Sequence, residues 1–166
     1  MSEILRPVLN VADVNAGWTS HHGERFDAKL GGVGCVLGLK KLGCMLHVVP
    51  AGKSAFPSHR HHAEDEMFLI LSGAGEYCLG EEKFSVKAGD CLAAPAGGPA
   101  HQILNTGSEE LRYLGFSNCA DHDVIEYPDS GKVCVRAGMM DGDPSKASYS
   151  ARGRLTAAEY WDGEDA

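Results

Sequence analysis

The sequence lacks an apolar run of the length that a membrane-spanning helix needs, which is about 20 residues. Its first residues, MSEILRPVLNVADVNAG, have neither the basic start nor the apolar core of a secretory signal. Basic residues are also scarce, because 15 Lys and Arg stand against 23 Asp and Glu, for a formal net charge of −8. Nucleic-acid binding depends on a basic surface. We therefore expect no nucleic-acid partner, no membrane partner and a cytoplasmic location.

No two cysteines stand at the C-x-x-C spacing of zinc or redox motifs. In a reducing compartment, cysteines scattered singly are mostly small buried apolar side chains, and we expect that role rather than zinc ligation here. The six positions are Cys35, Cys44, Cys78, Cys91, Cys119 and Cys134.

Helices of ordinary length are not evident in the middle of the chain, where short apolar runs alternate with many of the 21 glycines. This pattern predicts an all-β fold, a sandwich or barrel of short strands, and 166 residues suffice for one domain. We assign the barrel to residues 31–137, with an N-terminal arm at 1–30 and a C-terminal arm at 138–166. Both arms should pack on the outside of the barrel. A disordered tail is the alternative for the last segment, but it would leave Tyr160 and Trp161 without a burial partner.

The apolar run from Met67 to Leu71 occupies both parities of one predicted strand. One face points into the barrel, so Met67, Leu69 and Leu71 on the other face need cover. A second subunit would provide it, and we expect a homodimer. Cover by the arms of the same chain is the alternative.

The segment SHRHHAEDE places several potential metal ligands together. Side chains alternate faces along a strand, so His59 and His61 point the same way, while Arg60 and His62 point the other way. Glu66 begins the next strand, on the parity that faces the apolar interior. An unpaired carboxylate there is costly, and a bound cation would remove that cost.

A third histidine, His101, follows the turn formed by Pro95, Gly97, Gly98 and Pro99, which could return the chain over the first pair. Three imidazoles and one carboxylate suit one divalent transition metal, namely Fe, Mn, Ni, Co or Zn, with positions left open for water or substrate. The alternative to a metal site is a solvated polar loop together with one core histidine.

Other charged residues near these ligands receive more ordinary interpretations. We expect Glu64 and Asp65 to be solvated loop charges, although a change of register would let Asp65 replace Glu66. His47 is interpreted as a satisfied core histidine, with a place in the pocket as the alternative. No catalytic acid or base is identified.

The same residues resemble the two conserved motifs of the cupin superfamily. The resemblance implies a double-stranded β-helix, or jelly-roll, barrel in which His59, His61, Glu66 and His101 bind one metal. One departure is that three residues, rather than two, separate Gly97 from His101. The positions that carry the resemblance are Gly52, His59, His61, Glu66, Gly73, Gly89, Pro95, Gly97, His101 and Asn105.

Further segments, among them KLGCMLHVVPAGKSAFPSHRHHAEDE and LRYLGFSN, resemble bacterial single-domain cupins that are sometimes labelled sugar-phosphate isomerases. The resemblance implies a metal-dependent enzyme that isomerises or epimerises a small polar substrate, such as a sugar or sugar phosphate. An iron-dependent dioxygenase and a non-catalytic small-molecule-binding protein are the alternatives. A phosphorylated substrate would need cations, for which the sequence offers only isolated candidates, Lys53, Lys83, Arg112 and Lys132.

Overall fold

The computed structural model describes residues 7–139 and 144–164, and β-strands dominate them, as the sequence predicts. Two short 3-10 helices occur, at Val11–Asp13 and Pro144–Lys146. The strands in chain order are β1 (Trp18–His22), β2 (Phe26–Gly32), β3 (Gly43–Val49), β4 (Arg60–His61), β5 (Glu66–Ser72), β6 (Ala74–Leu79), β7 (Glu82–Lys87), β8 (Cys91–Ala94), β9 (His101–Leu104), β10 (Leu111–Ser117), β11 (His122–Tyr127), β12 (Lys132–Ala137) and β13 (Tyr149–Gly153).

The strands form three antiparallel sheets that enclose a jelly-roll barrel. One sheet has six strands in the order β1-β2-β3-β10-β5-β8, a second has the order β13-β12-β11-β4, and a third has the order β7-β6-β9. The second and third sheets meet where His59 pairs with His101. Each residue donates its backbone N–H to the carbonyl of the other, at N to O distances of 3.2 and 2.8 Å. This junction, which we call the seam, makes one curved wall opposite the six-stranded sheet.

Alternation along β3 explains how one strand contributes to two apolar clusters. Val49 faces the interior and joins the core between the walls, which includes Ile70 and Leu111. Leu46 and Val48 face outward, yet they are also buried, at 0% and 6% exposure. The outward face must therefore be covered.

The cover comes from the beginning of the chain. Leu9, Val11 and Val14 pack on the outer cluster. A Cβ at Gly31 would lie 2.6 Å from the Val14 side chain, so the absence of a side chain allows this close approach. Leu71 belongs to the same cluster, whereas Met67 stays 45% exposed.

The end of the chain is bound to the barrel by pairing rather than by apolar packing. Strand β13 pairs with β12 over its whole length, but all of its residues are exposed. Tyr160 and Trp161 are 83% and 70% exposed and contact each other edge to face, with ring centroids 4.7 Å apart. Within this chain they therefore lack the burial that the sequence led us to expect. Among the described residues, no helix is long and apolar enough to cross a bilayer.

The expectation of buried cysteines is wrong for part of the set. Cys134 is buried, and Cys44, Cys78 and Cys119 are partly buried, but Cys35 and Cys91 are exposed. Cys91 lies on β8, an edge strand whose residues alternate between exposed and buried, which explains its exposure.

Candidate metal centre

The four predicted ligands meet inside the barrel, brought together from opposite walls. Glu66 begins β5 of the six-stranded sheet, while His59, His61 and His101 lie at the seam of the facing wall. The Oε2 atom of Glu66 is 3.1 Å from His101 Nε2, 3.3 Å from His61 Nε2 and 3.8 Å from His59 Nε2. One potential ligand atom from each of His59, His61 and Glu66 lies within 4.8 Å of the others.

Hydrogen bonds fix the tautomers of two of these histidines. His61 Nδ1 donates to Asp123 Oδ2 over 2.5 Å, and His59 Nδ1 donates to the carbonyl of Pro57 over 2.8 Å. Because a neutral imidazole carries one proton, each Nε2 keeps its lone pair and faces Glu66. This is the arrangement that a metal-binding histidine needs.

Several polar atoms at this point are buried without a hydrogen bond. Within the described residues, Glu66 Oε2 and both ring nitrogens of His101 have no hydrogen-bond partner. Although Glu66 Oε2 is close to His101 Nε2, the two do not satisfy hydrogen-bond geometry. Buried polar groups are rarely left in this state. A carboxylate oxygen and imidazole nitrogens that converge without hydrogen bonds fit a cation between them, so the residues present suit a metal.

The electrostatics of His59 and Glu66 agree with their chemistry. Burial lowers the pKa of His59 to about 4, and the nearby charge of His101 adds to this effect, so the ring stays neutral at physiological pH. Burial alone would raise the pKa of Glu66, but His101, His61 and His59 hold it below its usual value. A neutral imidazole and an ionised carboxylate are the forms that bind metals.

Asp123, which the sequence reasoning missed, holds His61 in place. Its side chain is 1% exposed and also accepts the backbone N–H groups of His62 and Ala63, at 3.1 and 2.9 Å. Burial alone would raise its pKa, but the hydrogen bond from His61 and those from the backbone keep it low. Asp123 lies on the inward parity of β11 with Ile125 and Tyr127, a pattern that could have identified it.

The expectation that Glu64 is a solvated loop charge is wrong. Its side chain is 16% exposed, lines the cavity described below, and lies 4.0 Å from His61 Nδ1. Burial raises its pKa. Asp65 is exposed, as expected, and accepts the backbone N–H of Ala96 at 2.8 Å, so it does not replace Glu66.

The side chains on the opposite parity face away from the cluster, as predicted. Arg60 Nη2 lies 2.6 Å from Glu126 Oε2, and His62 Nε2 lies 2.9 Å from Glu126 Oε1. His62 is 41% exposed. The turn before His101 also forms as predicted, because Gly97 adopts φ +70 and donates its N–H to the carbonyl of His61.

A cavity of about 790 Å³ opens beside the four side chains. His59, His61 and Glu66 lie on its wall, together with aromatic and aliphatic residues such as Met45 and Phe68. This volume lies in the range of small-molecule sites. The cluster therefore faces a space that a small organic ligand could occupy.

His47 is both a core residue and a cavity residue. It is 6% exposed, stacks on Tyr113 with ring centroids 4.5 Å apart, and contacts Phe56 edge to face at 5.7 Å. Its Nδ1 has no hydrogen-bond partner within the described chain, so the expectation of a satisfied core histidine is wrong. Burial lowers the pKa of His47 to about 4.

The low pKa of His47 predicts a loss of stability in acid. An unfolded histidine titrates near 6.5, so between that value and about 4 the unfolded state binds the additional proton, and stability falls as the pH decreases. From about pH 7 to about pH 5, the wild type should lose about 2 kcal/mol more unfolding free energy than His47→Phe. Urea unfolding with a chelator present measures the difference. Equal losses in the two proteins would contradict the prediction.

Comparison with known proteins gives a family match for part of the chain and a fold for most of it. Residues 45–116 match the Cupin domain family. A stretch of 83 residues is 39% identical to an uncharacterised protein of Methanocaldococcus jannaschii, covering 50% of this chain and 62% of that protein. Another stretch, of 101 residues, is 31% identical to auxin-binding protein 1 of Arabidopsis thaliana, covering 55% of this chain and 50% of that protein. The chain thus spans less than two thirds of the length of the curated relatives that it matches.

Similarity of structure extends over more of the chain. A sugar phosphate isomerase of the cupin superfamily from Silicibacter pomeroyi aligns with a TM-score of 0.75, over 91% of this chain and 98% of that chain. The two sequences are 22% identical, so the likeness establishes the fold alone.

Proposed function

Residues 45–116 match the Cupin domain family, and from that premise we propose that the protein is a metal-dependent enzyme that isomerises or epimerises a small molecule bound in its cavity. The observation that carries the proposal is the convergence of Glu66 with three histidines beside the cavity, with acceptor atoms buried and unpaired. The name of the structural relative from Silicibacter pomeroyi agrees with the reaction class.

Each residue of the cluster has a role in this proposal. His59, His61, Glu66 and His101 would hold one divalent transition metal, Fe, Mn, Ni, Co or Zn. When bound, such an ion polarises a carbonyl or hydroxyl oxygen. Asp123 orients His61 for this role.

Glu64 is the carboxylate placed to exchange a proton with the substrate. Asp123 is committed to three hydrogen bonds, from His61 and from two backbone N–H groups, whereas Glu64 lines the cavity. General acid-base catalysis needs a group within reach of the bound substrate. The position of Glu64 meets that requirement.

Elemental analysis of protein purified without added metal or chelator, followed by a substrate screen with the metal found, tests the proposed function. Glu64→Gln should keep the metal and lose turnover. Iron together with oxygen consumption would instead favour a dioxygenase. Metal or ligand binding without any turnover would favour a non-catalytic binding protein, a role that the name of auxin-binding protein 1 supports.

A homodimer is part of the proposal. Tyr160 and Trp161 at the end of the chain, and Met67 on the outer face of β5, are exposed apolar side chains that a second copy of the chain would cover. Sedimentation at low micromolar concentration should give a dimer, and Trp161→Ser should weaken it. A wild type that sediments only as a monomer would contradict this part of the proposal.

A further inference from the structure

Three cationic side chains lie around Tyr127 in the sheet formed by β13, β12, β11 and β4. We call these residues, Lys132, Arg136 and Arg152, the cationic shelf. Lys132 Nζ lies 5.7 Å from the centre of the Tyr127 ring, and Arg152 Cζ lies 6.0 Å from it. Burial raises the pKa of Tyr127, while the positive charges of Arg152 and Arg136 oppose that rise. The three cations therefore act on one aromatic side chain.

Among the described residues, the cationic shelf has no carboxylate to balance it. Acidic residues outnumber basic ones 23 to 15, and elsewhere Arg60, Lys41 and Lys83 each form an ion pair. Within residues 7–139 and 144–164, no carboxylate pairs with a member of the cationic shelf. In a chain with excess acid, three unpaired cations in one place form a local positive field that suits an anion.

The cationic shelf is continuous with the candidate metal centre. Arg136 and Tyr127 line the cavity, as do His59 and Glu66. The centres of the Tyr127 and His59 rings are 6.1 Å apart, with the ring planes inclined by 30°. A single small molecule could therefore contact both.

Most of the remaining cavity wall is apolar, and two of the cations predicted from sequence for a phosphate, Lys53 and Lys83, do not supply it with charge. Lys53 donates to the backbone carbonyl of Glu24, and Lys83 pairs with Glu76; neither lies on the cavity wall. The hydroxyl groups of a sugar would lose water against such a wall without gaining hydrogen bonds. An apolar group would gain from the same contact.

We infer that the substrate is a small organic acid, with its carboxylate against Arg136 and its apolar body along the aromatic and aliphatic wall, rather than a sugar phosphate. Arginine suits this role because its planar guanidinium matches a carboxylate in two parallel hydrogen bonds. The inference rests on the proposed function, because it places the substrate at that same centre.

Calorimetric titration with three probes tests the inference: phenylacetate, its neutral analogue phenylacetamide, and glucose 6-phosphate. Phenylacetate should bind about tenfold or more tightly than phenylacetamide, since a hydrogen bond to a charged group is worth that much. Arg136→Gln, on the cavity wall, should reduce phenylacetate binding by about tenfold or more. Arg112→Gln, a matched variant on β10 outside the cavity wall, should leave it unchanged.

Several results would overturn the inference: equal binding of phenylacetate and phenylacetamide, no binding of phenylacetate at millimolar concentration, or tighter arginine-dependent binding of glucose 6-phosphate. The titrations are repeated after removal of metal, and metal content is measured separately. If the wild type carries no metal when purified but still prefers phenylacetate, that result would refute the proposed function and keep the cationic shelf. A metal-containing protein without that preference would refute the cationic shelf alone.

Discussion

The variants His59→Ala, His61→Ala, Glu66→Ala and His101→Ala should each retain less than about a tenth of the metal that the wild type carries. Loss of a residue that only orients a ligand already costs about 10- to 100-fold in metal affinity, and loss of the ligand itself should cost at least as much. The remaining groups also keep the cost of their burial without the ion. Elemental analysis of the purified proteins, with folding checked by circular dichroism, gives the result.

His62→Ala is the matched control, because His62 is adjacent in sequence but bonds Glu126 on the other face. It should carry the same metal as the wild type, whereas nonspecific binding by a histidine cluster would respond to this change as well. The metal content of Asp123→Asn should lie between that of the ligand variants and that of His62→Ala, because this change disturbs only the orientation of His61. Equal metal in the wild type, His59→Ala and His61→Ala would refute the site.

His101 has a separate expected outcome because of the additional residue after Gly97. The turn brings His101 Nε2 within 3.1 Å of Glu66 Oε2, so the insertion does not hold the ring away from the cluster. If His101→Ala alone kept its metal, the site would consist of two histidines and one carboxylate, completed by water.

The second large effect is expected from Asn105→Ala, which should lower the free energy of unfolding by about 3 kcal/mol. Asn105 is 1% exposed, and its side-chain amide donates to the carbonyls of Val49 and Glu109, at 2.8 and 2.7 Å. Its side-chain oxygen accepts the N–H of Gly107 at 3.0 Å. Alanine leaves these three backbone groups without their partner, and buried unpaired groups are costly.

Asn118→Ala serves as the control for this measurement. Asn118 is exposed, so its replacement should change the unfolding free energy by less than about 0.5 kcal/mol. Urea unfolding of the three proteins gives the comparison. If Asn105→Ala lowers the unfolding free energy by less than about 1 kcal/mol, the chain around residues 105–109 does not depend on the side-chain hydrogen bonds of Asn105.

The sequence carries the parts of the site that depend on local alternation. His59 and His61 share a face because they are two residues apart, and Glu66 shares the buried parity of Phe68 and Ile70, at 7% and 1% exposure. A strand reveals its faces through a period of two, so these positions follow from neighbouring residues alone. The all-β fold follows from the same kind of pattern.

The parts that depend on pairing between distant segments could not be predicted. Asp123 meets His61 because β11 pairs with β4, and the two residues are 62 positions apart. Glu64 looks like a loop charge because the sequence does not show that its loop borders a cavity. The exposure of Cys35 and Cys91 likewise depends on which segments lie beside them in the folded chain.

The seam at His59 and His101 bears on the motions of the barrel. A regular ladder holds strands with many hydrogen bonds, whereas within the described residues an isolated bridge between His59 and His101 joins the two sheets here, next to the hydrogen bond from Gly97 to His61. Local opening costs least where few contacts must break, so transient separation of the two sheets should begin at this line. An ion bound across the seam would cross-link it, and hydrogen exchange at the amides of His59 and His101 would slow.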